Sequence, residues 1–164
     1  MSSQRLKPLG SYMLVFLVVF FLDFFSKQAI IASLQEGQSK DIIGQFLKFT
    51  YVRNPGAAFS MGIDMTWVFS LIALIAVIGI TTFVFLKVKC RWWLVCLGLI
   101  AGGAAGNLLD RLVRPPGFLH GYVVDFIQLP HYAIFNVADS AIVVGAIIAV
   151  VLVFKEVDYA KTSK

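Results

Sequence analysis

The sequence predicts an all-α integral membrane protein of four transmembrane helices, with a small extracytoplasmic β-structure between spans 1 and 2. Three observations carry this reading. Of the 164 residues, 59% are hydrophobic and only 14% charged, where a soluble domain carries about a quarter charged residues. Four segments reach the roughly 20 apolar residues that a helix needs to cross about 30 Å of hydrocarbon. Between the first two lies IIGQFLKFTYVR, residues 42–53. Its β-branched and aromatic side chains suit one or two short strands rather than a helix.

Taken in order, span 1 covers about 10–31. Arg5 and Lys7 before an apolar run imitate a signal peptide. Asp23 and Lys27 follow, however, and no Ala-x-Ala site appears, so the segment reads as a retained span. Span 2, about 66–87, has no charge from Trp67 to Leu86. Span 3, about 92–111, has none from Trp92 to Leu109, and span 4, about 134–154, holds only Asp139. A basic hinge, Lys87 to Arg91, joins spans 2 and 3. The other linkers, 32–65 and 112–133, are longer and share one side because four spans alternate direction. Residues 1–164 thus form a single polytopic membrane domain.

Charge sets the expected orientation. Arg5, Lys7, Lys87, Lys89, Arg91, Lys155, Lys161 and Lys164 fall on one side, and Lys27, Lys40, Lys48, Arg53, Arg111 and Arg114 on or toward the other. The excess places both termini in the cytoplasm. The net charge of +5 is scattered or flanks apolar runs, which fits membrane lipid headgroups and not nucleic acid. Cys90 and Cys96 complete no metal site and read as small apolar side chains. Gly98, Gly102 and Gly106 repeat at four-residue spacing, which lets another helix backbone approach closely.

Polar residues within such a chain need a reason, because a charge at mid-bilayer costs about 2.5–3.5 kcal/mol on insertion scales. Asp23 and Lys27, four apart on one helix, can pair. Asp110 and Arg111 are adjacent and do not face one another. Arg111 shares a helix face with Asn107 and is a candidate anchor for an anion or a backbone carbonyl; a solvated helix end fits the spacing equally well. Asp125 and Asp139 lack an obvious local cation, and Asn136 lies three residues before Asp139. Two carboxylates sharing a low-dielectric site cannot both ionise easily, so one keeps a proton. Such a pair can hydrolyse a peptide without metal or cofactor: one member takes a proton from water and the other donates one. Spacing alone leaves an interfacial Asp or a helix N-cap near Asn136 equally open. A small proton-coupled transporter or channel subunit, or a scaffold held by the span 3 glycines, would use the same residues differently. No H-x-x-x-H, C-x-x-C or G-x-S-x-G pattern offers another chemistry.

Five local motifs occur in order: DFFSK at 23–27, NPGAAF at 54–59, GNLLDR at 106–111, VVDF at 123–126 and FNVADS at 135–140. On these, with four spans and matching linker lengths, nearly the whole chain resembles the lipoprotein signal peptidases, or signal peptidase II. The resemblance implies an aspartic peptidase of the bacterial cytoplasmic membrane, working without cofactor. Its substrate would be a diacylglyceryl-modified prolipoprotein, cut just before the lipidated cysteine. Asp125 and Asp139 would be catalytic, on the extracytoplasmic side. Asn54, Gly56, Asn107, Arg111 and Asn136 would bind substrate, with Asp23, Lys27 and Asp110 in support, in a monomer. The segment between spans 1 and 2 would form a β-structure cradling the substrate. Three features depart from the family pattern. Phe24 stands where many members have a polar residue. RPPGFLHG, 114–121, reads as an insertion with turn character. The linker from Asp125 to Asp139 is short and contains Pro130 and His131.

Overall fold

A computed structural model describes residues 3–56 and 65–162. The elements run α1 (Ser3–Ser33), β1 (Ser39–Ile43), β2 (Leu47–Asn54), α2 (Thr66–Lys87), α3 (Arg91–Val113), β3 (Val123–Gln128) and α4 (Val137–Phe154). All four helices, α1 counted from Leu9, are long and apolar enough to cross a membrane. Ala57, Ala58 and Phe59 of the NPGAAF motif lie outside the described residues.

Helix α3 is the middle of the bundle and packs against α1, α2 and α4. Its glycines explain how. A Cβ at Gly98 would lie 3.0 Å from the Tyr12 carbonyl oxygen, and one at Gly102 would lie 2.8 Å from that of Phe16. These small residues therefore seat α1 directly on α3. Gly103, on another edge, does the same for α4: its Cβ would come within 2.5 Å of the Ala138 oxygen. Helix α2 ends on Lys87, a cation suited to a helix C-terminus, and an extended Val88–Cys90 hinge leads into α3. Beside that hinge, Leu9, Tyr12, Val84, Val88, Leu94 and Ala101 form one core cluster. Trp93 Nε1 there donates to the Val157 carbonyl, tying in the segment after α4. Cys90 and Cys96 are buried and unpaired with each other.

The opposite end carries an antiparallel sheet in the order β1-β2-β3. The β1–β2 hairpin, turning at Gly44, fulfils the strand expectation for 42–53. The third strand was not expected. It comes from the other long linker, so both long linkers meet on one side of the bundle. VVDFIQ is buried along its first four residues, and a strand covered on both faces reads as a continuous apolar run without alternation. Ile30 and Leu34 at the end of α1 pack beneath Tyr51, Val124 and Phe126 and make the second core.

Span 4 starts later than expected, at Val137 rather than 134. Phe135 instead bridges to Ile127 in extended backbone. Asn136 then caps the helix, its side chain accepting from the Asp139 amide while Asp139 accepts from the Asn136 amide. This reciprocal box satisfies two amide donors that would otherwise lack partners. Span 3 runs two residues beyond its expected end, to Val113, with consequences for Asp110 below.

Candidate functional site

The sheet delivers Asp125 and the start of α4 delivers Asp139, and two asparagines join them. Asp125, 3% exposed, accepts from Asn54 Nδ2 at 2.8 Å and from Asn136 Nδ2 at 2.7 Å. Asp139, half-buried, accepts from Asn107 Nδ2 at 2.8 Å and from the Asn136 amide at 3.1 Å. Asn136 therefore touches both carboxylates. Its side chain also donates to Asn107 Oδ1 at 3.1 Å. Burial pushes the Asp125 carboxyl up to about 6; the Asp139 charge adds to the rise, while the Asn54 and Asn136 bonds oppose it.

Asp125 and Asp139, 14 residues apart in sequence, thus converge, as do Asn54, Asn107 and Asn136. Gly56 is close by: its amide donates to Asn54 Oδ1, and its φ of +98° is a conformation that suits glycine. Arg111 supplies the cation that the local sequence lacked. It lies within electrostatic reach of Asp139, Asp125 and Asp110. Nη1 donates to the Asn107 carbonyl at 3.2 Å, while Nε is buried without a hydrogen-bond partner. A guanidinium so held keeps donors free for another group.

Asp23, Lys27 and Asp110 are buried together behind this pair. Lys27 Nζ lies 2.6 Å from Asp23 Oδ2 and 3.0 Å from Asp110 Oδ2, and it donates to Asn107 Oδ1 at 2.9 Å. The expected Asp23–Lys27 pair exists, with Asp110 as a third member. Arg114 completes the charge balance through Asp110 Oδ1 at 2.5 Å. Sequence reasoning missed Arg114 because span 3 was expected to stop at about 111; the four-residue spacing from Asp110 was the available signal. An apolar groove of about 290 Å³ opens beside Asp139. It is walled by Leu129, Tyr132, Phe135, Ser140, Val143 and Val144. The 114–121 loop is fastened to α2, where buried Ser70 donates to the Leu119 carbonyl at 2.7 Å.

Four apolar helices under a small sheet, with polar groups gathered at their junction, define a membrane enzyme class already seen in solved structures. A bacterial membrane enzyme structure matches with a TM-score of 0.77 and 28% identity, covering 94% of each chain. A second, also a bacterial membrane enzyme, gives 0.76 and 30% identity, covering 89% of this chain and 94% of the other. The family model for signal peptidase (SPase) II matches residues 15–155. The lipoprotein signal peptidase of Rhodococcus jostii is 45% identical over 135 residues, 82% of this chain and 68% of that protein. That of Streptomyces griseus is 46% identical over 144 residues, 88% of this chain and 73% of that protein. The chain belongs to the signal peptidase II family and is a peptidase. Membership decides against the transporter and scaffold alternatives.

Proposed function

We propose that the chain is an aspartic endopeptidase that removes the signal peptide from diacylglyceryl-modified prolipoproteins, cutting just before the lipidated cysteine. The observation that carries this reading is the joining of Asp125 and Asp139 through Asn136, beside a groove of apolar side chains. Asp139 takes a proton from water as the water attacks the scissile carbonyl carbon. Asp125, the more deeply buried acid, donates its proton to the carbonyl oxygen. Collapse of the tetrahedral intermediate breaks the C–N bond. The amine leaves with a proton passed from the dyad, and the signal peptide keeps the carboxylate.

Arg111, Asn54, Gly56, Asn107 and Asn136 hold the substrate around the pair, and one lipid chain lies in the Tyr132–Val144 groove. Asp23, Lys27 and Asp110 support the site. Residues 1–164 act as a single polytopic domain and a monomer in the bacterial cytoplasmic membrane. Both termini are cytoplasmic. The sheet, segments 32–65 and 112–133 and the active site face outward, in keeping with the eight-to-six split of basic residues. Purified protein in detergent is expected to cleave a diacylglyceryl-modified prolipoprotein. Asp125→Asn and Asp139→Asn should each lower turnover by about 10²–10⁴-fold, the usual worth of a positioned acid or base. Cleavage undiminished in both variants would overturn the assignment.

A further inference from the structure

Asp23 and Asp110 belong to different helices, yet they make the same kind of contact. Asp23 Oδ1 accepts from the amide of Ala138 at 2.9 Å, the residue before Asp139. Asp110 Oδ2 accepts from the amide of Val124 at 3.1 Å, the residue before Asp125. Each buried carboxylate thus holds the backbone immediately preceding one acid of the pair. Lys27 lies between them, 2.6 Å from one and 3.0 Å from the other. The same ammonium donates to Asn107 Oδ1, which leaves Asn107 Nδ2 directed at Asp139.

Simple helix packing does not require this arrangement. Buried ion triads can often be replaced by apolar side chains without loss of stability. The glycines of α3 already seat α1 and α4 through close backbone contact. What the triad adds is a further tie between β3 and the first turn of α4, beside the Asn136–Asp125 bond and the Phe135–Ile127 bridge.

We infer that Asp23, Lys27 and Asp110 form a caliper whose bridging ammonium sets the separation of Asp125 and Asp139. The inference rests on the peptidase reading above. The three are positioning residues: they act through the Ala138 and Val124 amides and through Asn107, and touch no substrate. Loss of the bridge lets the two acids drift apart while the substrate-binding groups stay in place. A displacement near 1 Å can cost on the order of 10² in rate.

The test compares wild type, Lys27→Met, Asp110→Asn and the charge-neutral double variant Asp23→Asn/Lys27→Met. Three quantities are measured in detergent: kcat on a diacylglyceryl-modified prolipoprotein, Kd for an uncleavable analogue with a reduced scissile amide, and melting temperature. The double variant and Asp110→Asn guard against Lys27→Met failing to fold, since it strands the buried Asp23 carboxylate. The expected result is a kcat lower by roughly tenfold or more, with analogue Kd within about threefold of wild type, in at least one variant that keeps a cooperative melt. A kcat within twofold of wild type in the folded variants would overturn the caliper. So would kcat and melting temperature falling together with a rise in Kd in all three, which marks a merely structural cluster. Absence of turnover by wild type would sink the peptidase reading and the caliper with it; turnover indifferent to the triad sinks only the caliper.

Discussion

Gly103→Ala offers a direct measure of how tightly the seat of α4 governs the candidate site. A Cβ there would lie 2.5 Å from the Ala138 carbonyl oxygen and 2.9 Å from Ile142 Cγ1, where ordinary contact begins at 3.4 Å. The nearer neighbour is backbone and cannot rotate away, so α3 and α4 must part by about 0.9 Å. Overpacking of this kind costs about 1–3 kcal/mol. The displaced residue immediately precedes Asp139, and a shift of that size in a reacting group can lower the rate on the order of 10²-fold. Turnover of a lipidated prolipoprotein and thermal melting in detergent measure both effects. Gly79→Ala in α2 is the control, because nothing lies within 4 Å of its Cβ; there the better helix former should leave activity unchanged and add up to about 1 kcal/mol. A Gly103→Ala protein turning over within threefold of wild type would refute the claim that this close approach fixes the geometry around Asp139.

Other outcomes follow from the same structure. With its carboxyl pushed up to about 6 from the usual 3.8, Asp125 holds a proton in the native state that the unfolded chain has released between about pH 4 and 6. Its contribution to stability therefore falls as pH rises through that window and levels off above it, by on the order of 2–3 kcal/mol. Melting temperature against pH should accordingly slope less steeply downward in Asp125→Asn than in wild type, whatever the constant offset between them. Ser70→Ala should cost about 1 kcal/mol by freeing the Leu119 carbonyl, and limited proteolysis should then cut faster within 114–121. The exposed Lys48–Asp41 pair, 3.3 Å apart, should matter little: Lys48→Gln is expected to shift chemical or thermal stability by no more than about 0.5 kcal/mol.

The four helices were legible because lipid leaves one solution per segment, and uninterrupted apolar length reveals it. Their ends were less so. Asn136 looked like a member of span 4, yet backbone pairing of Phe135 with Ile127 holds the chain extended up to it. The site residues were legible as motifs, and their convergence was not. The bond from the Ala138 amide to Asp23 joins positions 115 residues apart, and no local spacing encodes it. Asp110 looked unpaired for a smaller reason: Arg114 lay just past the expected helix end. β3 escaped notice because burial on both faces erased the alternation by which strands are read.

Each acid of the triad brings a counter-ion from its own stretch of chain. Asp23 and Lys27 sit one turn apart on α1, and Asp110 pairs with Arg114, the residue that caps α3. During biogenesis, each of these two acids can thus enter lipid beside a cation from its own stretch of chain, before the neighbouring helix has been synthesised. Only when the two meet does Lys27 gain Asp110 as a second partner. A chain whose opposite charges were divided between helices would have to insert the first of them bare, so the repeated one-turn spacing removes a barrier to insertion that the finished molecule no longer displays.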